Sequence, residues 1–297
     1  MEPQNTSASD DSINIGNYCV CFIDILGQRA AMRGQGLLPI FESEVQEMQF
    51  KETLKKTIGA IAKLQRQAEE LLDATKPNPQ SQLRASLSVE EQAKWDEMNA
   101  TKLQNQYWSD GLVSFCCLGD KEVRCHVNGL FHIVATAGAH CIFGLAAKRP
   151  IRGAIEIAWG AELRLGQLYG PAVARAYELE SEVAQYPRIV VGEEAIKFFQ
   201  RHQANKSLDP FSRVDQQMAE ICLGMITRDF DGHFIINYLG NEFQAAVSNK
   251  AHLDLYAKAR AFVLAQLAEH RNNQDTKLAM RYTRLLDYFD ENQPPKA

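Results

Sequence analysis

Short apolar runs, several of them rich in β-branched and aromatic residues, predict the strands of this chain. The first run covers residues 18–26 (YCVCFIDIL) and indicates a buried strand with one acid inside it. Residues 107–118 (YWSDGLVSFCCL) and 226–239 (ITRDFDGHFIINYL) each hold Asp-Gly between two strand-like runs, which is typical of a β-hairpin. Residues 151–159 and 188–191 predict two further strands.

Helical spacing of apolar residues marks most of the segments between these strands. Residues 44–74 carry apolar positions over several turns, and Ser88 followed by Glu91 has the pattern of a capping box for a second helix. Further helices are predicted at 121–147, at 172–184, between the strand at 188–191 and the second hairpin, at 252–270 and at 275–289. The order of elements predicts an α+β sandwich, with helices packed on a mainly antiparallel sheet.

The same pattern suggests a division of the chain into three parts. Residues 1–12 are polar and acidic, and residues 1–16 predict a disordered tail. Residues 17–250 predict one folded domain that contains a helical insertion at about 44–104. Residues 251–297 predict a C-terminal helical extension.

Composition and charge exclude several classes of protein. The 297 residues are 45% hydrophobic and carry a formal net charge of −5, which gives no bulk attraction to nucleic-acid phosphates. The polar N-terminus has no secretory pattern, and we find no run of about 18 or more uncharged apolar residues that predicts a membrane span. The chain has seven cysteines, which is an odd number, and several of them lie in apolar runs. This use of cysteine is typical of proteins in the reducing cytosol. We expect a cytoplasmic protein that binds neither a nucleic-acid polymer nor a membrane.

Two aspartates are the strongest candidates for chemistry. Asp24 lies inside an apolar strand, where an unpaired carboxylate is costly to desolvate, so a neutralising partner such as a metal ion is expected. Asp110 lies at the tip of the first hairpin, where turn formation alone is the alternative explanation. If the two strand ends are adjacent, the acids can coordinate a pair of divalent ions that activate a ribose hydroxyl and stabilise the phosphates of a triphosphate.

Candidate phosphate ligands accompany these acids. The backbone amides of residues 25–28, where the chain leaves the first strand, provide hydrogen-bond donors. Arg152, inside a later strand, is the preferred cationic ligand. Lys148 and Arg149 are close to it in sequence, but a solvated helix end explains those two residues better.

Taken together, these segments resemble the class III nucleotidyl cyclases. FIDILG and SDG resemble the two metal-binding segments of that family, and residues 152–180 (RGAIEIAWGAELRLGQLYGPAVARAYELE) and the YPRIVV strand resemble the segments that follow. The resemblance covers residues 18–191 discontinuously and implies a ferredoxin-type sandwich with an added helical insertion and C-terminal helices. It also implies two Mn²⁺ or Mg²⁺ ions, bound by Asp24, Asp110 and the main-chain carbonyl of Ile25.

Four positions depart from the purine cyclases of this class. Gln106 and Gln167 stand where those enzymes read the purine ring with a lysine and an acid. Ala174 and Glu178 stand where they stabilise the transition state with an asparagine and an arginine. These departures argue against an ordinary adenylate or guanylate cyclase. Arg175 is a candidate replacement for the missing charge, although an exposed helix arginine is the simpler explanation.

The overall pattern resembles the pyrimidine cyclases of bacterial Pycsar antiphage defence, in particular the uridylate group. This likeness implies conversion of UTP to cyclic UMP, a homodimer with active sites at its interface, and an effector that senses the product. A cytidylate cyclase making cyclic CMP and an inactive cyclase-like nucleotide-binding module stay open as alternatives. The predicted site consists of Asp24, Asp110 and Arg152 for catalysis; Phe22, Ile25, Leu26, Gly27, Gln106 and Arg175 for substrate binding; and Asp24, Ile25 and Asp110 for the metal ions.

Overall fold

A computed structural model describes most of the chain, and the statements below refer to the residues it describes. These are residues 14–27, 40–74, 82–85, 87–99, 103–108, 111–119, 127–207, 209–247 and 252–294. The predicted metal ligand Asp110, the amide of Gln28 and residues 1–13 of the predicted tail lie outside them.

A mixed sheet forms the centre of the described fold. Its eight strands are β1 (Asn14–Ile25), β2 (Gln104–Trp108), β3 (Gly111–Gly119), β4 (Ile151–Arg164), β5 (Gln167–Tyr169), β6 (Ile189–Val191), β7 (Ile226–Arg228) and β8 (Phe234–Ile236). Their order across the sheet is β2-β3-β1-β4-β6-β8-β7, and β5 pairs with β4. The pair β4–β6 is parallel, whereas the other pairs are antiparallel.

Helices connect and cover these strands, so the architecture is α+β, as predicted. They are α1 (Glu44–Ala74), α2 (Gln82–Ala85), α3 (Val89–Asn99), α4 (Val127–Ala146), α5 (Pro171–Glu178), α6 (Glu193–Gln203), α7 (Pro210–Gly224), α8 (Asn241–Val247), α9 (His252–Asn272) and α10 (Thr276–Glu291). A π-helical turn, Leu179–Val183, continues α5. Two helices, α6 and α7, occupy the interval for which the sequence predicted one helix.

Two local predictions are confirmed by hydrogen bonds and register. The Ser88 backbone amide donates to the Glu91 carboxylate (2.8 Å), and the Glu91 amide donates to the Ser88 hydroxyl (3.4 Å), which is the capping box that begins α3. In the first hairpin, Trp108 pairs with Gly111 across β2 and β3.

The first strand is longer than predicted. It begins at Asn14 rather than at residue 18, so residues 14–16 are part of the sheet and were wrongly assigned to a disordered tail. They pair with Gly160, Ala161 and Glu162, because β4 continues beyond the predicted end at Trp159. Ile15 stands between Asn14 and Gly16, so this segment carries only a weak strand signal of its own, and the long partner strand supplies the hydrogen bonds.

Successive side chains of β1 point to opposite faces of the sheet, so the core is divided into two layers. Cys19, Cys21 and Ile23 point into the larger cluster, which they share with buried residues of α4, α6, α7, α9 and α10. Tyr18 and Phe22 point to the opposite face and form a smaller cluster with β5 and α5. Since side chains of α9 and α10 lie in the larger cluster, the C-terminal extension packs as part of the main core.

The central helix α4 bears on the expectation that the chain has no membrane span. Val127–Ala146 is long and apolar enough to cross a membrane by length and composition, with a mean hydropathy of 1.5 in its best window. In the described fold 61% of that window is buried, as in the core helix of a packed domain. One such helix is weak evidence for a membrane span, and its burial within the protein explains its composition, so the absence of a membrane span stays a prediction.

Candidate functional site

The predicted strand acid lies at one end of the sheet, beside the predicted strand arginine. Asp24 is the Cα partner of Gly111 on β3 and of Arg152 on β4. Directly opposed residues of antiparallel strands project to the same face, so the two charged side chains are neighbours. Arg152 Nη2 lies 3.5 Å from Asp24 Oδ2, and the side chains are 21% and 24% exposed. The structure thus brings two of the three predicted catalytic residues together.

A second acid, which the sequence reasoning missed, completes this group. Arg152 Nε lies 2.5 Å from Oε1 of Glu180, whose side chain is 2% exposed. Glu180 lies on the π-helical turn after α5, four residues beyond Ala176 and eight beyond Ala172, both fully buried. That spacing places an acid on the apolar face of a helix, and it was the one signal in the sequence that indicated a buried charge there.

A cation on the C-terminal helices interacts electrostatically with Arg152. Burial, and after it the positive charge of Arg152, lowers the pKa of the Arg281 guanidinium on α10. The positive charges of Arg152 and Arg281 therefore act on each other, which links α10 to this group. No sequence feature had connected α10 with the site.

The chain segment after Asp24 differs in part from its predicted role. Ile25 is buried and pairs with Ile151. The Leu26 amide donates a hydrogen bond to the Pro150 carbonyl at 2.9 Å, so it is occupied and was wrongly expected to face a phosphate. Gly27 is exposed and has a φ of +90°, a conformation that favours glycine and turns the chain out of the strand.

Phe22 packs against two other aromatic side chains beside this group. Its side chain is 5% exposed and makes edge-to-face contacts with Trp108 and Tyr177, at ring-centroid distances of 5.8 and 5.4 Å. Trp108 and Tyr177 are 42% and 46% exposed. The predicted substrate residue Phe22 is thus mostly covered, and its two partners present the open aromatic surface.

Gln106 lies next to Gln167, and these are the two positions at which charged residues that read a purine were expected and are missing. The strand β5 folds back over the smaller core cluster, and the Leu168 amide donates to Gln106 Oε1 at 3.1 Å. Leu168 directly follows Gln167, so the two glutamine positions are adjacent in the fold, although they are far apart in the sequence.

Arg175 is not part of the Asp24 group within one chain. It is exposed on α5 and lines a cavity of about 530 Å³ together with Glu156 and Glu178. Burial raises the pKa of Glu156, and the charge of Arg175 partly opposes that shift. Because Glu156 is four residues from Arg152 on β4, this region lies about 13 Å along the strand from the Asp24 group.

Two of the three predicted metal donors lie among the described residues. Among the described residues, no group of three or more His, Cys, Asp or Glu side chains could hold a metal ion. The predicted donors in that part are the Asp24 carboxylate and the Ile25 carbonyl. Asp110 lies outside it and directly precedes Gly111, the Cα partner of Asp24. All three donors are oxygens, the type that Mg²⁺ and Mn²⁺ prefer, and an acid at this strand end fits such an ion.

A further cavity, of about 820 Å³, lies away from these residues, between the β7–β8 turn and α10. Beside it Arg188, 3% exposed, pairs with Asp229 and with Asp231 (2.6 Å), and the Tyr186 hydroxyl donates to Asp229. Arg284 lies over the ring of Phe230 at 4.6 Å. These paired charges tie the turn to the strand β6, and we interpret the network as structural.

No protein-family model, curated protein or solved structure that we compared matches this chain. A functional hypothesis therefore rests on the site residues, their geometry and the sequence motifs.

Proposed function

We propose that this chain is a class III nucleotidyl cyclase that converts UTP to 3′,5′-cyclic UMP and pyrophosphate. The observation that carries the proposal is the pairing of Asp24 with Arg152 at one end of the sheet. An acid able to hold divalent cations and a guanidinium able to hold phosphates lie side by side there. Both are mostly buried, and such charges are retained in a fold only where they are paired or serve a function.

The strand arrangement supports the same family. The strands β2, β3, β1 and β4 are neighbours in that order, and each pair is antiparallel. The chain connects them as strand, helices, two strands, helix, strand, which is the ferredoxin-like βαββαβ pattern. A ferredoxin-type sandwich is the fold that the cyclase resemblance implies.

The proposed reaction assigns a role to each residue of the group. The oxygens of Asp24, Ile25 and Asp110 would hold two ions, which supply Lewis acidity at the ribose 3′-hydroxyl and at the phosphates. Arg152 binds the β- and γ-phosphates through charge-assisted hydrogen bonds. The 3′-oxygen forms a bond to the α-phosphorus as the bond from that phosphorus to the bridging oxygen of pyrophosphate breaks, and the hydroxyl proton passes to water.

The choice of a pyrimidine base is supported by the glutamine pair. Gln106 contacts the backbone next to Gln167, so both positions border one surface, and neither side chain carries a charge. The lysine and acid that read a purine in related enzymes are therefore replaced by two neutral amides. Uridine is preferred over cytidine because of the overall likeness of the sequence to the uridylate group. Cyclic UMP would then be a cytoplasmic messenger that a separate effector senses in antiphage defence.

A homodimer is part of the proposal, and an exposed apolar strand surface supports it. Ile15 and Tyr169 both pair with Ala161, and Trp159 lies two residues away on the same face of β4. The side chains of Ile15, Trp159 and Tyr169 are 59%, 53% and 68% exposed. Contiguous exposed apolar residues commonly mark interaction surfaces, and we propose that a second copy of the chain covers this one.

Sedimentation velocity tests the dimer. Tyr169→Asp should shift the protein from dimer to monomer at micromolar concentration, because it places a charge inside the proposed interface. Leu264→Asp, at a 41% exposed leucine on α9, is the matched control and should leave the dimer intact. A wild-type protein that is monomeric at that concentration, or a dimer that survives Tyr169→Asp, would contradict the proposed interface.

Product analysis tests the activity. Purified protein is incubated with Mn²⁺ and each of the four ribonucleoside triphosphates, and products are identified by mass spectrometry. We expect cyclic UMP from UTP, its loss in Asp24→Asn, and its retention in Asp254→Asn, where a 65% exposed acid on α9 is neutralised in the same way. Cyclic CMP formed from CTP alone would overturn the base assignment. Equal inactivity of wild type and Asp24→Asn with all four nucleotides would favour an inactive binding module.

A further inference from the structure

The two contacts of Arg152 are unequal. Its Nε lies 2.5 Å from the Glu180 carboxylate, whereas its Nη2 lies 3.5 Å from Asp24. The contact with Glu180 is the shorter ion pair, although neither Arg152 Nε nor Glu180 Oε1 makes a hydrogen bond of good geometry. The guanidinium is therefore held mainly from the helix side and only loosely by the acid at the strand end.

The location of Glu180 suits a fixed anchor. The residue is 1% exposed, and a carboxylate so buried is stable only with a charged partner. It lies on a π-helical turn, in which the Ala184 amide donates to the Leu179 carbonyl at 2.9 Å. Such turns are rare and are found frequently at functional sites, where the extra residue redirects a side chain.

Because the guanidinium is planar, the contact with Glu180 also restricts the orientation of the Arg152 side chain. Its nitrogens lie in one rigid plane, so a buried carboxylate in ion-pair contact with Nε restricts where both Nη groups can lie. With Nε held by Glu180, the Nη groups are directed towards the Asp24 end of the sheet, where Nη2 already contacts Asp24.

We propose that Glu180 is a positioning residue that holds Arg152 in the orientation required to bind the pyrophosphate part of the substrate. This inference rests on the proposed function, since it assumes that Arg152 binds phosphates. Glu180 itself acts through Arg152 and does not contact the anion.

Binding of inorganic pyrophosphate with Mg²⁺, measured by isothermal titration calorimetry, tests the role without turnover. Arg152→Met should weaken binding by about tenfold or more, as expected for the loss of a charge-assisted hydrogen bond. Glu180→Gln should weaken binding by about threefold to tenfold, because the guanidinium loses its orientation. Simple electrostatics predicts the opposite sign, since removing a negative charge near an anion should tighten binding.

A double-mutant cycle shows whether Glu180 acts through Arg152. In the Arg152→Met background, Glu180→Gln should change pyrophosphate affinity by less than about twofold, whereas independent effects would add. Glu182→Gln is the matched control, because it removes the same charge from an exposed acid on the same π-helical turn. If Glu180→Gln does not fold, Glu180→Asp keeps the charge, withdraws the carboxylate by one methylene and should also weaken binding.

The outcomes separate this inference from the proposed function. Tighter or unchanged pyrophosphate binding in Glu180→Gln, with wild-type protein that still forms a cyclic nucleotide, would overturn only the role of Glu180. In the active enzyme, Glu180→Gln should raise KM for UTP more than it lowers kcat. Wild-type protein that neither binds pyrophosphate nor forms a cyclic nucleotide would overturn both proposals.

Discussion

A buried histidine gives the sharpest prediction about the stability of this protein. His140 lies on the central helix α4 with 2% of its surface exposed, and neither ring nitrogen makes a hydrogen bond of good geometry. Burial lowers the pKa of His140 to about 4, and the Thr136 carbonyl opposes this shift only in part. His140→Leu removes the titrating ring and keeps an apolar side chain of moderate size in the core.

The size of the pH effect on the free energy of unfolding follows from the different pKa of His140 in the folded and unfolded chain. The unfolded chain takes up a proton at this position below its ordinary pKa of about 6.5, whereas the folded chain does so only near 4. Lowering the pH therefore favours the unfolded state. The wild-type free energy of unfolding should fall, through this residue alone, by about 2 kcal/mol between pH 7 and pH 5 and by about 3 kcal/mol at pH 4.

Urea unfolding at pH 7 and pH 5, followed by circular dichroism, measures the effect. At pH 7 we expect His140→Leu to change stability by about 1 kcal/mol or less, because losing an unpaired polar group offsets the imperfect fit. At pH 5 the free energy of unfolding of the variant, relative to that of wild type, should be about 2 kcal/mol more favourable than it is at pH 7.

Cys141→Ala, at the neighbouring buried position, is the control and should cost a similar amount at both pH values. A difference between wild type and His140→Leu that is the same at pH 7 and pH 5 would refute the reasoning.

Three further predictions concern packing and the site. In Gly153→Ala the new Cβ would lie 2.4 Å from the Phe22 carbonyl oxygen, so we expect a loss of about 2 kcal/mol or more in urea unfolding, and wild-type stability would contradict the tight β1–β4 contact. Asp229→Ala leaves the buried Arg188 with one carboxylate fewer and should cost about 3 kcal/mol in the same assay; a cost below about 1 kcal/mol would show that the turn network is dispensable. Arg281→Met should weaken pyrophosphate binding by about threefold in calorimetry, because it removes a cation close to the candidate phosphate-binding arginine, and unchanged affinity would exclude α10 from the site.

Several elements were predictable because their signals are local. The capping box at Ser88 and Glu91 and the hairpin that joins β2 and β3 depend on residues only a few positions apart. The position of Asp24 within a buried strand was also evident, because an acid in an apolar run is unusual wherever the run packs.

Other elements depended on partners far away in the sequence. The three residues of β6 carry no signal that places them beside β4, and the pair is the one parallel pair among the described strands. β5 is equally short, yet it folds back so that Leu168 reaches Gln106. The hydrogen bond from Leu26 to Pro150 likewise joins segments far apart in sequence, and it occupies an amide that the local pattern left open.

By itself, the sequence determined that Asp24 requires a counter-charge, because the cost of burying a carboxylate depends on the apolar strand around it. It also supplied the strand arginine and the motif order on which the functional hypothesis rests. Only the tertiary structure decided that Arg152 is held between Asp24 and Glu180, and that its charge is felt by Arg281 on the last helix. The physical reason is that periodicity reveals which face a side chain points to, whereas its partner across that face is fixed by the packing of distant segments.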